Sequence, residues 1–169
     1  VPRPEAVEVE ADLEALVASH RDLLVCVPSH VFRSVLESLR GTLQPNARIA
    51  WATKGFELST GRLPHQVAQE TLGAEVPLAV VSGPTFAREV GLGLPTAMTV
   101  AATRSDFADE LAERFADERF RAYTSADMTG VEVGGAVKNV LAMATVLSDD
   151  LGFVDNPGVA LITRGLAEM

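Results

Sequence analysis

The sequence predicts an α/β fold: a doubly wound parallel sheet over residues 1–125, followed by the start of an all-helical domain over 126–169. Three observations carry this. Short, continuous apolar runs recur through the first 125 residues and alternate with segments of helical period. Each run ends in a polar or Gly/Pro-containing loop. After Ser125 strand-like runs stop, and the rest reads as one long helix, a loop and the beginning of another helix.

Taken in order, Leu23-Leu24-Val25-Cys26-Val27 is an unbroken apolar run, as expected of a strand buried on both faces. It ends at Pro28-Ser29, and Val31, Phe32, Val35, Leu36 and Leu39 then mark one face of a helix that Gly41 stops. Arg48 to Thr53 reads as the next strand, closed by Lys54-Gly55. Pro64 to Leu72 is a short helix ended by Gly73. Leu78-Ala79-Val80-Val81 is a buried strand running into Ser82-Gly83-Pro84, and a helix through Ala87 and Val90 ends at Gly91 or Gly93. Thr96 to Ala101 is strand, Phe107, Leu111 and Phe115 mark a further helix, and Phe120 to Tyr123 closes the series. In sheets of this kind ligands sit beyond the carboxyl ends of the strands. That draws attention to the loops Pro28-Ser29-His30, Thr53-Lys54-Gly55 and Ser82-Gly83-Pro84-Thr85.

Composition narrows the function. The 169 residues are 47% hydrophobic and 22% charged, enough for a solid core and unlike a disordered chain. Net charge is −9, which repels phosphate backbones and anionic membranes at long range and argues against a general nucleic-acid binder. One cysteine, Cys26, fits a reducing, cytoplasmic compartment. No signal peptide opens the chain, and no run of about 18 apolar residues suggests membrane insertion. The chain starts without Met and stops at Met169 inside a helix-like stretch with no stop signal, so it reads as an internal piece of something longer.

Only Lys54 and Lys138 among the fourteen basic residues are lysines; the others are arginines. An ammonium changes its proton affinity readily on burial, whereas a guanidinium does not. Lys138 falls in a stretch from Gly130 to Leu147 whose only other strongly polar side chains are Glu132 and Asn139. A helix apolar nearly all round is expected to be buried, and a charge in its middle needs a partner or a purpose. Gly134 and Gly135 lie one turn earlier, leaving a bare patch beneath the lysine stem for a backbone or ligand. The competing reading is a snorkelling lysine above a small-residue helix contact.

Ser82-Gly83-Pro84-Thr85-Phe86-Ala87 places Pro84 as a first-turn helix residue after a strand, where free N–H groups suit an anion. An ordinary strand-to-helix turn explains it equally well. Lys54 stands at a strand's carboxyl end, where a cation can meet an anionic ligand. Ser29 and His30 could cap a helix or touch a cofactor. His20 and His65 read as surface residues, Asp149-Asp150 as a solvated loop, and no His or Cys stands at metal-ligand spacing. Gly91-Leu92-Gly93 begins like G-x-G-x-x-G but lacks the third glycine and leads from helix to strand, the reverse of the required order.

The longer strings are more specific. Ala52-Thr53-Lys54-Gly55, Ser82-Gly83-Pro84-Thr85-Phe86-Ala87, Gly93-Leu94-Pro95-Thr96-Ala97 and Val131-Glu132-Val133-Gly134-Gly135-Ala136-Val137-Lys138-Asn139-Val140 occur in this order. Ser148-Asp149, Leu151-Gly152-Phe153 and Ala160 to Met169 follow. From about residue 22 to the end, the chain resembles bacterial NAD(P)-dependent sn-glycerol-3-phosphate dehydrogenases. The resemblance implies an oxidoreductase that interconverts dihydroxyacetone phosphate and sn-glycerol 3-phosphate with NADPH or NADH, for glycerophospholipid synthesis. It implies a Rossmann-like fold, a small-molecule substrate, no nucleic-acid partner and a possible homodimer. Lys138 matches the catalytic lysine that exchanges a proton with the C2 oxygen. Lys54 matches a lysine near both substrate and cofactor, and Gly83 and Thr85 match substrate-binding positions. Asn139 is expected to orient substrate, Ala87 to contact the cofactor, and Ser29 and His30 to border it.

Against the family pattern, the first strand, the glycine-rich turn and its helix are missing at the front, so the sheet is expected to be incomplete. A later Asp and the Ser-Arg-Asn cluster for the substrate phosphate are missing at the back. A polypeptide of these residues alone is expected to be inactive or nearly so. The alternatives are another two-domain dehydrogenase, or a binding or assembly domain that kept the fold without catalysis.

Overall fold

A computed structural model describes residues 5–150 and 156–167. Five strands, β1 (Asp22–Val25), β2 (Arg48–Trp51), β3 (Leu78–Ser82), β4 (Thr96–Ala102) and β5 (Phe120–Ser125), pair in that spatial order. The connecting helices are α1 (Leu13–Ser19), α2 (Ser29–Leu39), α3 (Pro64–Leu72), α4 (Ala87–Gly91) and α5 (Ser105–Phe115). Two longer ones follow, α6 (Met128–Asp150) and α7 (Asn156–Ala167).

Strand residues alternate between two cores, as a period of two requires. Ile49, Trp51, Leu78, Val80 and Ala101 face α2 and α3, where Phe32, Leu36, Leu39, Val67 and Ala68 meet them. Ala50, Ala79, Val81 and Val100 face α5 through Phe107, Ala108, Leu111 and Ala112. Each large side chain hidden this way contributes about 1.5–3 kcal/mol. Trp51 is fully buried and meets Phe32 edge-on at 5.6 Å. This is the Rossmann-like arrangement of a sheet with helices on both faces.

The sheet is not wholly parallel. β1, β2 and β3 run together, but β4 is antiparallel to β3 and parallel to β5. The reason lies in α4. Its five residues rise only about 7.5 Å, too little to carry the chain back along a strand about 16 Å long. The chain therefore re-enters the sheet at the end where β3 left it.

Other expectations shift as well. β1 is an edge strand, so Leu24 is 47% exposed rather than covered on both faces. α1 has no counterpart in the sequence reading; the Asp12 carboxylate caps it by accepting from the Glu14 and Ala15 N–H groups. Ser29 is the first residue of α2 and does not cap it. Pro84 lies outside α4, whose N-cap is Phe86. Asp149 and Asp150 close α6 instead of forming a loop. Leu151, Gly152, Phe153 and Met169 lie outside the described residues.

α6 departs most from expectation. Val140, Met143, Val146 and Leu147 are all more than half exposed, with Met143 at 64%. Only its first part lies on the sheet, where Met128 and Val131 pack against the Trp51 core. By length and composition, Met128–Leu147, 20 residues of mean hydropathy 1.3, is long and apolar enough to cross a membrane. An uninterrupted apolar run ends at Glu132 and Lys138, whereas an averaged hydropathy passes over them.

Candidate active site

β2 delivers Lys54 just past its carboxyl end, and β3 delivers Ser82 and Gly83 beside it. β4, starting at the same end of the sheet, adds Thr99, which pairs with Ser82. α6 lays Gly134, Gly135 and Lys138 across this edge. Together they line a cleft of about 210 Å³.

The glycines set the approach distances. A Cβ on Gly83 would stand 2.5 Å from the Ala97 carbonyl oxygen and 2.8 Å from the Met98 Cα, so only glycine lets β3 leave the sheet here. A Cβ on Gly135 would stand 2.8 Å from Ser82 Oγ and 3.9 Å from Lys54 Cγ, so α6 rests on that serine and the lysine stem. Gly134 faces open space. The bare patch inferred from the sequence is thus divided: Gly135 gives close helix-on-strand contact, and Gly134 leaves room.

Both lysines of the chain reach the cleft. Lys54 Nζ donates to the Gly83 carbonyl at 3.0 Å. Lys54 is exposed on its outer side, yet desolvation where its stem runs under α6 lowers its ammonium from the ordinary value of 10.5, and the like charge of Lys138 adds to the effect. Lys138 itself is exposed, with Nζ 5.2 Å from the centre of the Phe86 ring. This corrects the expectation of a buried Lys138: α6 is apolar nearly all round, yet Lys138 and its neighbour Val140 remain exposed. Both lysines are exposed, and partial desolvation acts on Lys54. The cleft lining carries these two ammoniums and no carboxylate among the described residues. In a chain of net charge −9, such a spot is arranged for an anion.

The remaining sequence candidates lie around this centre. Thr85 is half-buried and Ala87 exposed, both on the chain leaving β3, and neither lines the cleft. Ser29 is half-buried, and its Oγ is 3.7 Å from where a Cβ on Gly55 would be, so the loops after β1 and β2 meet. His30 is exposed. Asn139 is placed on α6, but its side chain lies outside the described residues. The Ser82 hydroxyl and the two ammoniums within one cleft, at the carboxyl ends of β2 and β3, fit an anionic group such as a dinucleotide phosphate.

One cluster escaped the sequence reading. Glu132, 5% exposed, accepts from the Trp51 indole N–H at 3.1 Å and the His65 backbone N–H at 3.0 Å. Its Oε2 meets His65 Nδ1 at 2.6 Å. Burial pushes the Glu132 carboxyl up, opposed by the His65 contacts. His65, expected at the surface, has a side chain only 15% exposed, because Glu132 closes over it. A lone acid in an apolar helix was the available signal.

Comparison with known proteins bears on the family and the fold. Residues 1–108 match the NAD-dependent glycerol-3-phosphate dehydrogenase N-terminus, and residues 127–169 match the C-terminus of the same family. The likeness therefore includes the first 21 residues, which the sequence motifs had left out. Similar curated proteins are the glycerol-3-phosphate dehydrogenases [NAD(P)+] of Cronobacter sakazakii, 52% identical, and Serratia marcescens, 54% identical. Each covers 100% of this chain, while the chain spans about half of their length, 50% in both cases. A crystal structure of glycerol-3-phosphate dehydrogenase from Coxiella burnetii superposes with TM-score 0.89 at 45% identity, covering 99% of this chain and 51% of that one. With the family matched across both halves of the sequence, and the sheet and helices superposing on a solved member, the chain belongs to the NAD-dependent glycerol-3-phosphate dehydrogenase family.

Proposed function

We propose that this chain carries the proton-exchanging part of an enzyme interconverting sn-glycerol 3-phosphate and dihydroxyacetone phosphate, a step serving glycerophospholipid synthesis. The observation that carries the reading is the convergence of Lys54 and Lys138 on one cleft that, among the described residues, no carboxylate lines. A phosphorylated three-carbon substrate is an anion whose C2 oxygen needs a proton donor or acceptor. Residues 1–125 form the nucleotide-binding part, and 126–169 the first helices of the substrate domain. A reducing, cytoplasmic setting suits the single free Cys26, and a homodimer is part of the same reading.

Lys138 acts at the C2 oxygen. In the oxidation direction its neutral amine takes the hydroxyl proton; in reduction its ammonium polarises the ketone and then supplies that proton. When bound, the nicotinamide takes or returns the hydride at C2. Lys54 binds negative charge beside it, and its hydrogen bond to the Gly83 carbonyl fixes the direction of its ammonium. Gly83, Thr85 and Asn139 shape the substrate side. Ala87 at the start of α4, and Ser29 and His30 at the start of α2, border the cofactor. Phe86, stacked under the Lys138 ammonium, restrains its sweep, a contact of about 0.5–1 kcal/mol at an exposed site.

The test is Lys138→Ala in the intact enzyme. Turnover of dihydroxyacetone phosphate with NADPH or NADH is expected to fall by about a hundredfold or more. Retained turnover would remove Lys138 from the reaction.

A further inference from the structure

The Glu132 cluster ties together parts of the chain that are far apart in sequence. Its carboxylate belongs to α6, the indole donor to β2, and the His65 N–H and ring to the first turn of α3. Leu63 at the α3 N-cap has no side-chain acceptor, and Gln66 takes the Leu63 N–H at 3.0 Å but not that of His65. The acid from α6 therefore caps a helix on the other side of the proposed domain boundary, where the helix dipole favours negative charge.

An apolar residue at position 132 would bury without the desolvation cost that a carboxylate carries. What the carboxylate adds is direction. Apolar contacts permit sliding, whereas three hydrogen bonds to donors on two fixed elements define both the height and the rotation of a helix. Gly135 lies three residues on, against Ser82 Oγ and the Lys54 stem. Lys138 lies six residues on, about 9 Å along the axis and about 120° around it, at the rim of the cleft.

We infer that Glu132, held by Trp51 and His65, is a positioning residue: it sets the height and rotation of α6 so that Lys138 reaches the cleft and Gly135 closes over Lys54. The inference builds on the proposed reaction only in giving that placement a purpose.

The experiment reads Lys54, not turnover. The charged group facing Lys54 from α6 is Lys138, and the Gly83 carbonyl accepts from it on the β3 side. The pH midpoint for acylation of the Lys54 amine, followed by mass spectrometry on this chain, reports how closely α6 sits. Glu132→Ala and His65→Ala are expected to raise that midpoint towards 10.5, the ordinary lysine value. Glu132→Gln keeps the acceptor for both N–H donors and is expected to retain the parent midpoint. Circular dichroism and cooperative urea unfolding confirm that the sheet persists in each variant.

A folded Glu132→Ala chain with the parent midpoint would overturn the inference, as would Glu132→Gln shifting as far as Glu132→Ala. If Glu132→Ala does not fold, His65→Ala decides, since it keeps the backbone donor and removes only the ring. Turnover of Lys138→Ala tests the reaction separately. Activity retained there, with the Lys54 midpoint still shifted in Glu132→Ala, would retire the proposed reaction and leave the positioning role standing.

Discussion

Gly83 and Gly134 line the same cleft but stand at opposite extremes of tolerance. A methyl group on Gly83 meets two backbone atoms of β4 inside 3 Å, and backbone cannot yield one atom at a time. Gly83→Ala is expected to destabilise the fold by about 1–3 kcal/mol, read as a lower urea midpoint. Gly134→Ala meets nothing within 4 Å and is expected to stabilise by about 0.4–1 kcal/mol through reduced freedom of the unfolded chain. Equal midpoints for the two variants would mean that the β3–β4 approach is looser than described. At this scale Lys54, Gly83 and Lys138 were legible in the sequence, because two surviving lysines and a strand-ending glycine are visible without knowing the fold. Glu132 was not. Its partners His65 and Trp51 are 67 and 81 residues away, and no local spacing announces a bond of that range.

Helices α2 and α3 are joined across the surface by charge. Arg33 on α2 grips Glu57 through both carboxylate oxygens, at 2.7 and 3.0 Å, and reaches Glu70 on α3 at 3.0 Å. The Arg33 guanidinium, helped by the Thr60 hydroxyl, holds the Glu57 carboxyl down at about 2. A carboxyl with a lowered folded value stabilises most above its ordinary value of 4.5, and that contribution is lost as pH falls towards 2. Arg33→Gln is therefore expected to flatten the rise of melting temperature between pH 2 and 4.5. A profile unchanged from the parent would place the pair's contribution elsewhere. The helices and strands themselves were readable because each is announced locally: a Pro or Gly at its end, a period of two or of three to four within it. The direction of β4 was not, since an alternating pattern reads the same both ways. The shortness of α4 was the one available hint. The exposure of α6 was misread for a related reason, because apolarity shows that a helix seeks cover and not that it has found it.

On the scale of the whole chain, a net charge of −9 coexists with an uncovered stripe of Val140, Met143, Val146 and Leu147 along α6. Continuous apolar surface of this kind drives association. The 169-residue chain is expected to sediment as more than one species and to enhance the emission of an apolar dye. Met143→Gln with Val146→Gln is expected to reduce both signals; a monodisperse, dye-silent parent chain would show the stripe to be covered. The reversal of β4 has its own long reach. Because β4 and β5 both run away from the cleft, the chain turns back after Ser125, and α6 meets the cleft from Gly130 and Val131 onward. Ten residues separate Met128 from Lys138, a rise of about 15 Å, which is nearly the length of a strand. The first turns of α6 thus work as a ruler with its zero mark at Glu132, where Trp51 and His65 hold it. One residue inserted between Glu132 and Lys138 would swing the lysine by about 100°, so the number of residues in this stretch is as constrained as Gly135 within it.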